Sequence, residues 1–532
     1  MTTAGPGPLR LEPTAERSLR DLLFERGVEF PCGGVSQCGG CKIRVLAGEV
    51  PVTDEMRAVL TAEEIDAGWR LGCLADAHSA VTLEIAQWSI AVLEDHAELP
   101  FEPAEGLGAV VDVGTTTLVA QLVDRGSGSV LKLETALNPQ ARFGADLMSR
   151  IHHDLAEPGT LRAMICGTVG GMLGRLCEER PLEEIFLVGN TAMHHFFSGI
   201  SVEPLAAVPF RSPALGPRYF EARELAWSLK LQEPACFLPC VGGFVGSDLL
   251  AGLVATGLFE SPEPGALLDL GTNGEIAVGC RGRIRCASTA AGPAFEGGRI
   301  GCGMRADGGA IDGVSIVDGA LECSVIGGGP PRGLCGSGLV DATAAALELG
   351  WVTPSGRMSH GRKSIGLAGP VALSQADVRE LQLAKGAVAA GFMLLLDGRR
   401  LTASRIFLGG AFGNYIRGES ARRIGLLPSW ADHPTAAGNT ALRGARMLLL
   451  AVSRRQHILD SVLASTDHVE LASDPRFQDA FVDCMRFPVS SHRESDRRAE
   501  PAPTPNLQAV ASSASKISPP PDPIIRSTPE SA

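Results

Sequence analysis

The chain has 532 residues, 45% of them apolar, enough for roughly two to four domains with large cores. Forty-seven Lys and Arg against 60 Asp and Glu give a net charge of −13, which with no basic run argues against a nucleic-acid partner. No apolar stretch is long enough to span a membrane, and Met1 to Pro8 lacks the charged and apolar regions of a secretory leader. Fourteen cysteines without such a leader point to a reducing cytoplasm, where thiols bind metal or lie buried.

In chain order, Leu9 to Leu11 predicts a short strand, and Thr14 to Arg26 a helix with Leu19, Leu22 and Leu23 on one face. Then comes Pro31-Cys-Gly-Gly-Val-Ser-Gln-Cys-Gly-Gly-Cys41, with Cys73 following after thirty-one intervening residues. Cys32, Cys38, Cys41 and Cys73 are the thiolates expected to hold a 2Fe–2S cluster, three from one tight loop and one from afar. Gly33, Gly34, Gly39 and Gly40 let the backbone lie close to the sulfurs and donate N–H groups to them. A structural zinc site is the alternative, but only Cys38 and Cys41 form a C-x-x-C knuckle. Lys42 to Leu46 and Val81 to Ile85 alternate as strands. These features resemble ferredoxins of the vertebrate-and-bacterial type over residues 1–90. Residues 91–106 are expected to be a linker, since Glu94 to Gly106 is acidic and carries two prolines.

Residues 107–487 hold two related halves, about 107–260 and 261–487. Each opens with an apolar strand, Asp-x-Gly-Thr and a second apolar strand, read as a hairpin with a polar tip: Asp112-Val-Gly-Thr-Thr-Thr117 and Asp269-Leu-Gly-Thr-Asn-Gly-Glu275. Each later has a matching strand, Ile185-Phe-Leu-Val-Gly-Asn190 and Ile406-Phe-Leu-Gly-Gly-Ala411. The tips suit phosphate: Gly114 and Gly271 allow close approach, while Thr115, Thr116, Thr117, Thr272 and Asn273 can donate hydrogen bonds. Asp112 and Asp269, at the ends of buried strands, call for a cation, and Mg²⁺ held through waters is expected. Gly409, Gly410 and Gly413 would make a flat floor for a nucleoside. Neither a Walker sequence nor a Gly-x-Gly-x-x-Gly opening a helix is present.

One Asp-x-Gly-Thr is more often a plain turn; two of them followed by Gly-Gly-x-Phe-Gly resemble the acetate and sugar kinase, heat-shock chaperone and actin superfamily. The resemblance implies that ATP binds with Asp112–Thr117 as first phosphate loop, Asp269–Glu275 as second and Leu408–Asn414 as adenosine segment. It also implies an α/β fold: an α+β ferredoxin domain followed by a two-lobed body of ribonuclease-H-like sheets.

Other residues have two readings. Asp248 either faces the cleft to position the attacking water or, with Ser247, caps a Leu-rich helix. Asp146 leans toward capping, and Glu275 toward holding a metal-bound water. His194 and His195 are expected to be helix-packing residues rather than cobalt ligands. Cys302 and Cys335 read as buried small residues, and Arg142, Arg150 and Arg299 either meet phosphate or an acidic partner or, by default, are solvated surface. The tail, 488–532, is rich in Ser, Pro and Ala and is expected to be disordered.

A ferredoxin joined to this body is a rare pairing. Five further segments support a more specific resemblance: Asn138-Pro-Gln, Gly144 to Ile151, Val188 to Met193, Ala291 to Gly297 and Leu334 to Asp341. The chain resembles the ATP-dependent reductive activators of corrinoid proteins. Some members carry a domain between cluster and ATPase, for which the linker here is too short; others end in two 4Fe–4S clusters, whereas Cys484 stands alone. The resemblance implies an ATP-hydrolysing reductase that takes an electron from an upstream donor and restores Co(II) of a methyl-transferring corrinoid protein to Co(I). From a donor near about −400 mV that step is uphill, so ATP would act through lobe closure. Activators of 2-hydroxyacyl-CoA dehydratases look alike in the ATPase but hold a 4Fe–4S cluster between subunits; a redox-sensing nucleotide-binding scaffold is the non-enzymatic alternative. The oligomeric state stays open, a homodimer included.

Overall fold

The computed structural model describes residues 8–26, 28, 30, 41–85, 99, 101–144, 146–399, 401, 405–413, 415–431 and 433–489. The expected disordered tail lies outside these beyond Val489. The described residues belong to one compact unit.

Strands Leu9–Leu11 (β1), Lys42–Ala47 (β2), Trp69–Leu71 (β3) and Val81–Ile85 (β4) form an antiparallel sheet in the order β1-β4-β2-β3. Their inner faces bury Leu11, Ile43, Leu71, Val81 and Leu83 against Leu19, Leu23 and Phe24. The helix runs Leu19–Glu25, starting five residues later than the expected Thr14 although its apolar face of Leu19, Leu22 and Leu23 is as read. Ser18 sets the start: its hydroxyl accepts from the Asp21 N–H, and the Asp21 carboxylate accepts from the Ser18 N–H. Two short helices not foreseen in the sequence, Asp54–Val59 and Ala62–Asp66, begin at hydroxyl caps on Thr53 and Thr61.

The first half contributes Leu107–Val113 (β5), Thr117–Asp124 (β6), Val130–Leu137 (β7), Glu184–Val188 (β8), Arg218–Phe220 (β9) and Ala235–Phe237 (β10), in the order β7-β6-β5-β8-β10-β9. The second contributes Gly265–Leu270 (β11), Gly274–Cys280 (β12) and Arg283–Thr289 (β13). Two small sheets interrupt it: Ala310–Val317 (β14), Ala320–Val325 (β15) and Gly333–Leu334 (β16), then Ser364–Ala368 (β17) and Val371–Ser374 (β18). Ile406–Gly409 (β19), Thr435–Gly438 (β20) and Thr466–His468 (β21) complete the main sheet, ordered β20-β19-β11-β12-β13-β21.

The two main sheets repeat one topology over five strands, β7-β6-β5-β8-β10 matching β13-β12-β11-β19-β20, while the sixth strand is added at opposite edges, β9 beside β10 and β21 beside β13. In each, a hairpin strand pairs in parallel with a later strand: β5 with β8 and β11 with β19. In register, Asp112 lies beside Val188 and Asp269 beside Gly409, so both carboxylates sit where adjacent parallel strands end. That is where an open α/β sheet leaves its crevice. The halves share a core built by helices Ser247–Thr256 and Thr440–Leu450, which bring Leu249, Leu250, Leu253, Ala441, Leu442 and Leu448 against Val110, Phe186 and Leu267. The helices cross at Gly444, where a Cβ would lie 1.8 Å from the Ala251 carbonyl oxygen.

The end of the expected linker belongs to the body. Glu102 donates its N–H to the Leu450 carbonyl at 3.0 Å, and Arg125 donates to the Gly106 carbonyl at 3.1 Å. Arg142 is not free surface: its guanidinium pairs with Asp21 of the ferredoxin domain and lies 5.8 Å from the Phe24 ring centre. Beside it, Ala141 packs on the ferredoxin core.

Candidate functional site

Among the described residues the cluster end of the molecule shows two of its four expected ligands; Cys32 and Cys38, with Gly33, Gly34, Gly39 and Gly40, lie outside them. Cys41 precedes β2 and Cys73 sits in the short turn Gly72–Leu74. The Cys73 N–H donates to Cys41 Sγ at 3.4 Å, and both thiols are buried. Backbone N–H groups aimed at sulfur, in a dry setting, suit a thiolate-ligated cluster. Gly72 allows this approach, since it donates to the Cys41 carbonyl at 2.8 Å and a Cβ there would lie 3.0 Å from that oxygen.

The second site is the cleft between the lobes, a cavity of about 260 Å³. It is lined by the four expected carboxylates Asp112, Asp248, Asp269 and Glu275, together with Gly114, Thr115, Thr116, Thr117, Gly271, Thr272 and Asn273 from the two tips. Three of the distant sequence segments pin the first tip. Asn138 donates to the Gly114 carbonyl at 2.8 Å, Arg150 to the Thr115 carbonyl at 2.6 Å, and Asn190 to the Thr115 hydroxyl at 2.9 Å. Arg150 is therefore not solvated surface: it is 1% exposed, because the Gly144 and Thr115 carbonyls away from water need a buried donor.

The tips touch across the cleft. Thr116 and Thr272 hydroxyls are 2.9 Å apart, and the Thr272 hydroxyl donates to Glu296 at 2.7 Å. Thr272 has one proton, so Thr116 donates to Thr272. Asn439 and Thr440, at the start of helix Thr440–Leu450, hold one aspartate from each lobe: Asn439 Nδ2 donates to Asp112 at 2.9 Å and Thr440 Oγ1 to Asp269 at 3.1 Å.

Burial raises all four carboxyls. Asp112 is pushed to about 7, against the Asn439 hydrogen bond and with help from the Asp269 charge. Asp269 reaches about 6, again against its Thr440 hydrogen bond. Asp248 and Glu275 are also raised by burial, then by neighbouring carboxylates. Such mutual repulsion in a partly dry cleft is what a divalent cation relieves.

Asp248 lies in the first turn of helix Ser247–Thr256, and one of its oxygens accepts from the Leu249 N–H at 2.7 Å. Of the two readings of Asp248, the joint cap with Ser247 does not form. Gly246 is the cap residue, and Ser247 instead bonds the Gly189 backbone, accepting at 3.1 Å and donating at 3.2 Å. Asp146 caps helix Leu147–Ala156 through the Ser149 N–H at 2.9 Å. Glu275 is buried in β12 and accepts from the Ser288 hydroxyl at 3.2 Å.

Of the nucleoside-floor glycines, Gly410 lines the cavity, with φ +81° and a Cβ position 2.9 Å from Asp269 Oδ1. Gly409 and Gly413 are not among the lining residues; Cβ atoms there would lie 2.9 Å from Asp269 Oδ2 and from the Leu408 backbone. They are needed for the tight turn at the end of β19. The apolar wall is Phe412 stacked on Phe295, centroids 4.6 Å apart, with Tyr415 and the helix start Cys335-Gly336-Ser337. Glu296, Arg305, Ser337 and Asn439 were not singled out as site residues in the sequence, although Glu296 and Ser337 lie in two of the quoted segments.

His194 and His195 are fully buried, and burial lowers them to about 3 and about 4. His195 Nε2 lies 2.6 Å from the Ser212 hydroxyl, and His194 stacks edge-on against Phe237, as packing residues do. Cys335 is a buried thiol raised by burial, Cys302 is half-buried on the second-half core, and Arg299 is exposed.

A two-lobed, duplicated nucleotide-binding body carrying a ferredoxin-type domain is the class this architecture defines. Residues 6–78 match the 2Fe-2S iron-sulfur cluster binding domain, 107–261 the RACo middle region and 263–497 the C-terminal ASKHA domain of RACo. The chain is 33% identical over 413 residues to the corrinoid activation enzyme RamQ of Eubacterium limosum, covering 70% of this chain and 69% of that one. It is 27% identical to the [Co(II) methylated amine-specific corrinoid protein] reductase of Methanosarcina barkeri, covering 70% and 76%. A solved reductive activator for corrinoid, iron-sulfur protein superposes with a TM-score of 0.66 at 26% identity, over 90% of this chain and 96% of that one. The chain belongs to the family of reductive activators of corrinoid proteins.

Proposed function

We propose that this chain couples ATP hydrolysis to the reduction of a Co(II) corrinoid protein to Co(I), in the cytoplasm, with the electron coming from an upstream donor. The observation that carries the reading is the Thr116–Thr272 hydrogen bond. Phosphates seated between the tips must part those hydroxyls, so binding ATP has to move one lobe against the other. The first tip is tied to the ferredoxin seat within a few residues: Asn138 holds the Gly114 carbonyl, and Arg142 pairs with Asp21.

Cys32, Cys38, Cys41 and Cys73 would hold the 2Fe–2S cluster, and Asp112 and Asp269 would hold Mg²⁺ through water, with Glu275 beside them. When bound, these groups supply one-electron transfer and neutralisation of phosphate charge. The rest falls to the chain. Gly114 and Gly271 admit the phosphates, and Thr115, Thr116, Thr117, Thr272 and Asn273 donate to their oxygens. Gly410, Phe412 and Phe295 face the nucleoside. Asp248, with one oxygen fixed by the Leu249 N–H, orients the attacking water.

The test is anaerobic: the reduced chain is mixed with a Co(II) corrinoid protein, with and without ATP and Mg²⁺, and the Co(I) absorption band is followed. Co(I) is expected only with nucleotide, and not with Asp112→Ala or Asp269→Ala. Equal Co(I) formation without ATP would sink the reading.

A further inference from the structure

The hydrogen-bond chain across the cleft has a direction, and Glu296 sets it. The Thr272 hydroxyl gives its proton to Glu296 Oε2 at 2.7 Å, which leaves its oxygen to accept from Thr116 at 2.9 Å. An ionised carboxylate only accepts, so the chain cannot run the other way. Ionised phosphate oxygens also only accept. A phosphate at the second tip therefore competes with Glu296 for the same Thr272 proton, in a cleft already lined by Asp112, Asp248, Asp269 and Glu275.

Glu296 is fixed in the same lobe as Thr272. The two segments are joined where the Gly292 N–H donates to the Thr272 carbonyl at 3.1 Å. The turn around Glu296 closes on itself, Gly297 donating to the Ala294 carbonyl at 3.0 Å and Gly298 to the Pro293 carbonyl at 2.8 Å. It needs Gly297, whose φ is +80° and where a Cβ would lie 2.5 Å from the Met304 carbonyl oxygen. Phe295 anchors it, 2% exposed and stacked on Phe412. Lobe motion thus parts Thr116 from Thr272 but carries Glu296 along with Thr272. Only a competing acceptor takes that proton away.

Resting on the reading of this cleft as an ATP site, we infer that Glu296 is a positioning residue that acts through Thr272 to oppose nucleotide binding. It turns the Thr272 hydroxyl away from phosphate and offers the oxygen to Thr116, so the two tips hold each other until a nucleotide displaces both bonds. When product leaves, Glu296 recovers the proton and the tips pair again.

The test uses the full chain, prepared anaerobically and titrated calorimetrically with Mg²⁺ and either ADP or β,γ-imido ATP. Glu296→Gln keeps the shape and removes the charge, and both nucleotides should bind about 10-fold more tightly. With Thr272→Val already in place the same change should gain less than about threefold, because the hydroxyl through which Glu296 acts is gone. Glu296→Ala should repeat the gain and serves if the Gln variant does not fold. Weaker or unchanged binding in the folded variant would overturn the inference. An equal gain in the Thr272→Val background would also overturn it, since simple charge repulsion needs no hydroxyl. Failure of the unaltered chain to bind either nucleotide would instead remove the ATP reading, and this inference with it.

Discussion

Arg150→Met tests whether the first tip is held by its buried base. The substitution keeps the aliphatic stem and removes the guanidinium. That group is 1% exposed and donates to the Gly144 carbonyl at 2.9 Å and the Thr115 carbonyl at 2.6 Å. Burial lowers its pKa to about 10, so it is still charged at neutral pH. Each hydrogen bond from a charged donor is worth about 1.5–3 kcal/mol. Relief of the desolvation cost of the buried cation returns part of the total, leaving a net loss of about 2–3 kcal/mol. Because the bonds end on the tip, the loss should reach nucleotide binding: affinity for β,γ-imido ATP should weaken by about 30- to 150-fold. Calorimetric titration beside a circular-dichroism melt separates loosening of the tip from unfolding. Exposed Arg299→Ala should change neither. If the R150M chain bound nucleotide within about twofold of the unaltered one, the claim that Arg150 shapes the loop would fall.

Three further outcomes follow from the same geometry. Cys73→Ser should abolish the iron content and visible absorption while leaving nucleotide affinity within about twofold, since the thiol pair sits in a core separate from the cleft; joint loss of both would refute that separation. Asp112, raised by burial to about 7, contributes stability that is complete below its ordinary value of 3.8 and is lost as pH rises through about 7. With chelator and no nucleotide the chain should therefore melt lower at pH about 8 than at pH about 5, and Asp112→Asn should shrink that gap; a gap unaltered by the substitution would show that Asp112 does not carry it. Gly444→Ala places a Cβ 1.8 Å from the Ala251 carbonyl oxygen, which is backbone and cannot turn away. It should cost about 3 kcal/mol by forcing two helices apart, seen as a lower urea midpoint; an unchanged midpoint would refute the tight crossing.

What could be read before the structure was set by local pattern. The two Asp-x-Gly-Thr tips sit on hairpins as expected, because strand, turn and strand follow from residues next to each other in sequence. Where a single side chain decided the matter, pattern fell short. Ser18 caps the first helix so that it begins at Leu19, five residues after the expected start at Thr14, and Gly246 takes the cap position that one of the two readings of Asp248 gave to Ser247 and Asp248. Arg150 reads as surface by composition, and only the carbonyls it meets explain its burial.

By itself, the sequence determined the thiol spacing, the duplicated halves and the acidic, glycine-rich tips, since each is a matter of residue type at short range. Only the tertiary structure decided which residues from far apart share the cleft. Asn439 and Thr440 each take an aspartate from a different lobe, Thr116 meets Thr272, and Arg305 crosses to Thr117. Those contacts come from two sheets brought face to face around a shared helical core, and hydrophobic burial of that core places them without leaving a periodic mark on the chain.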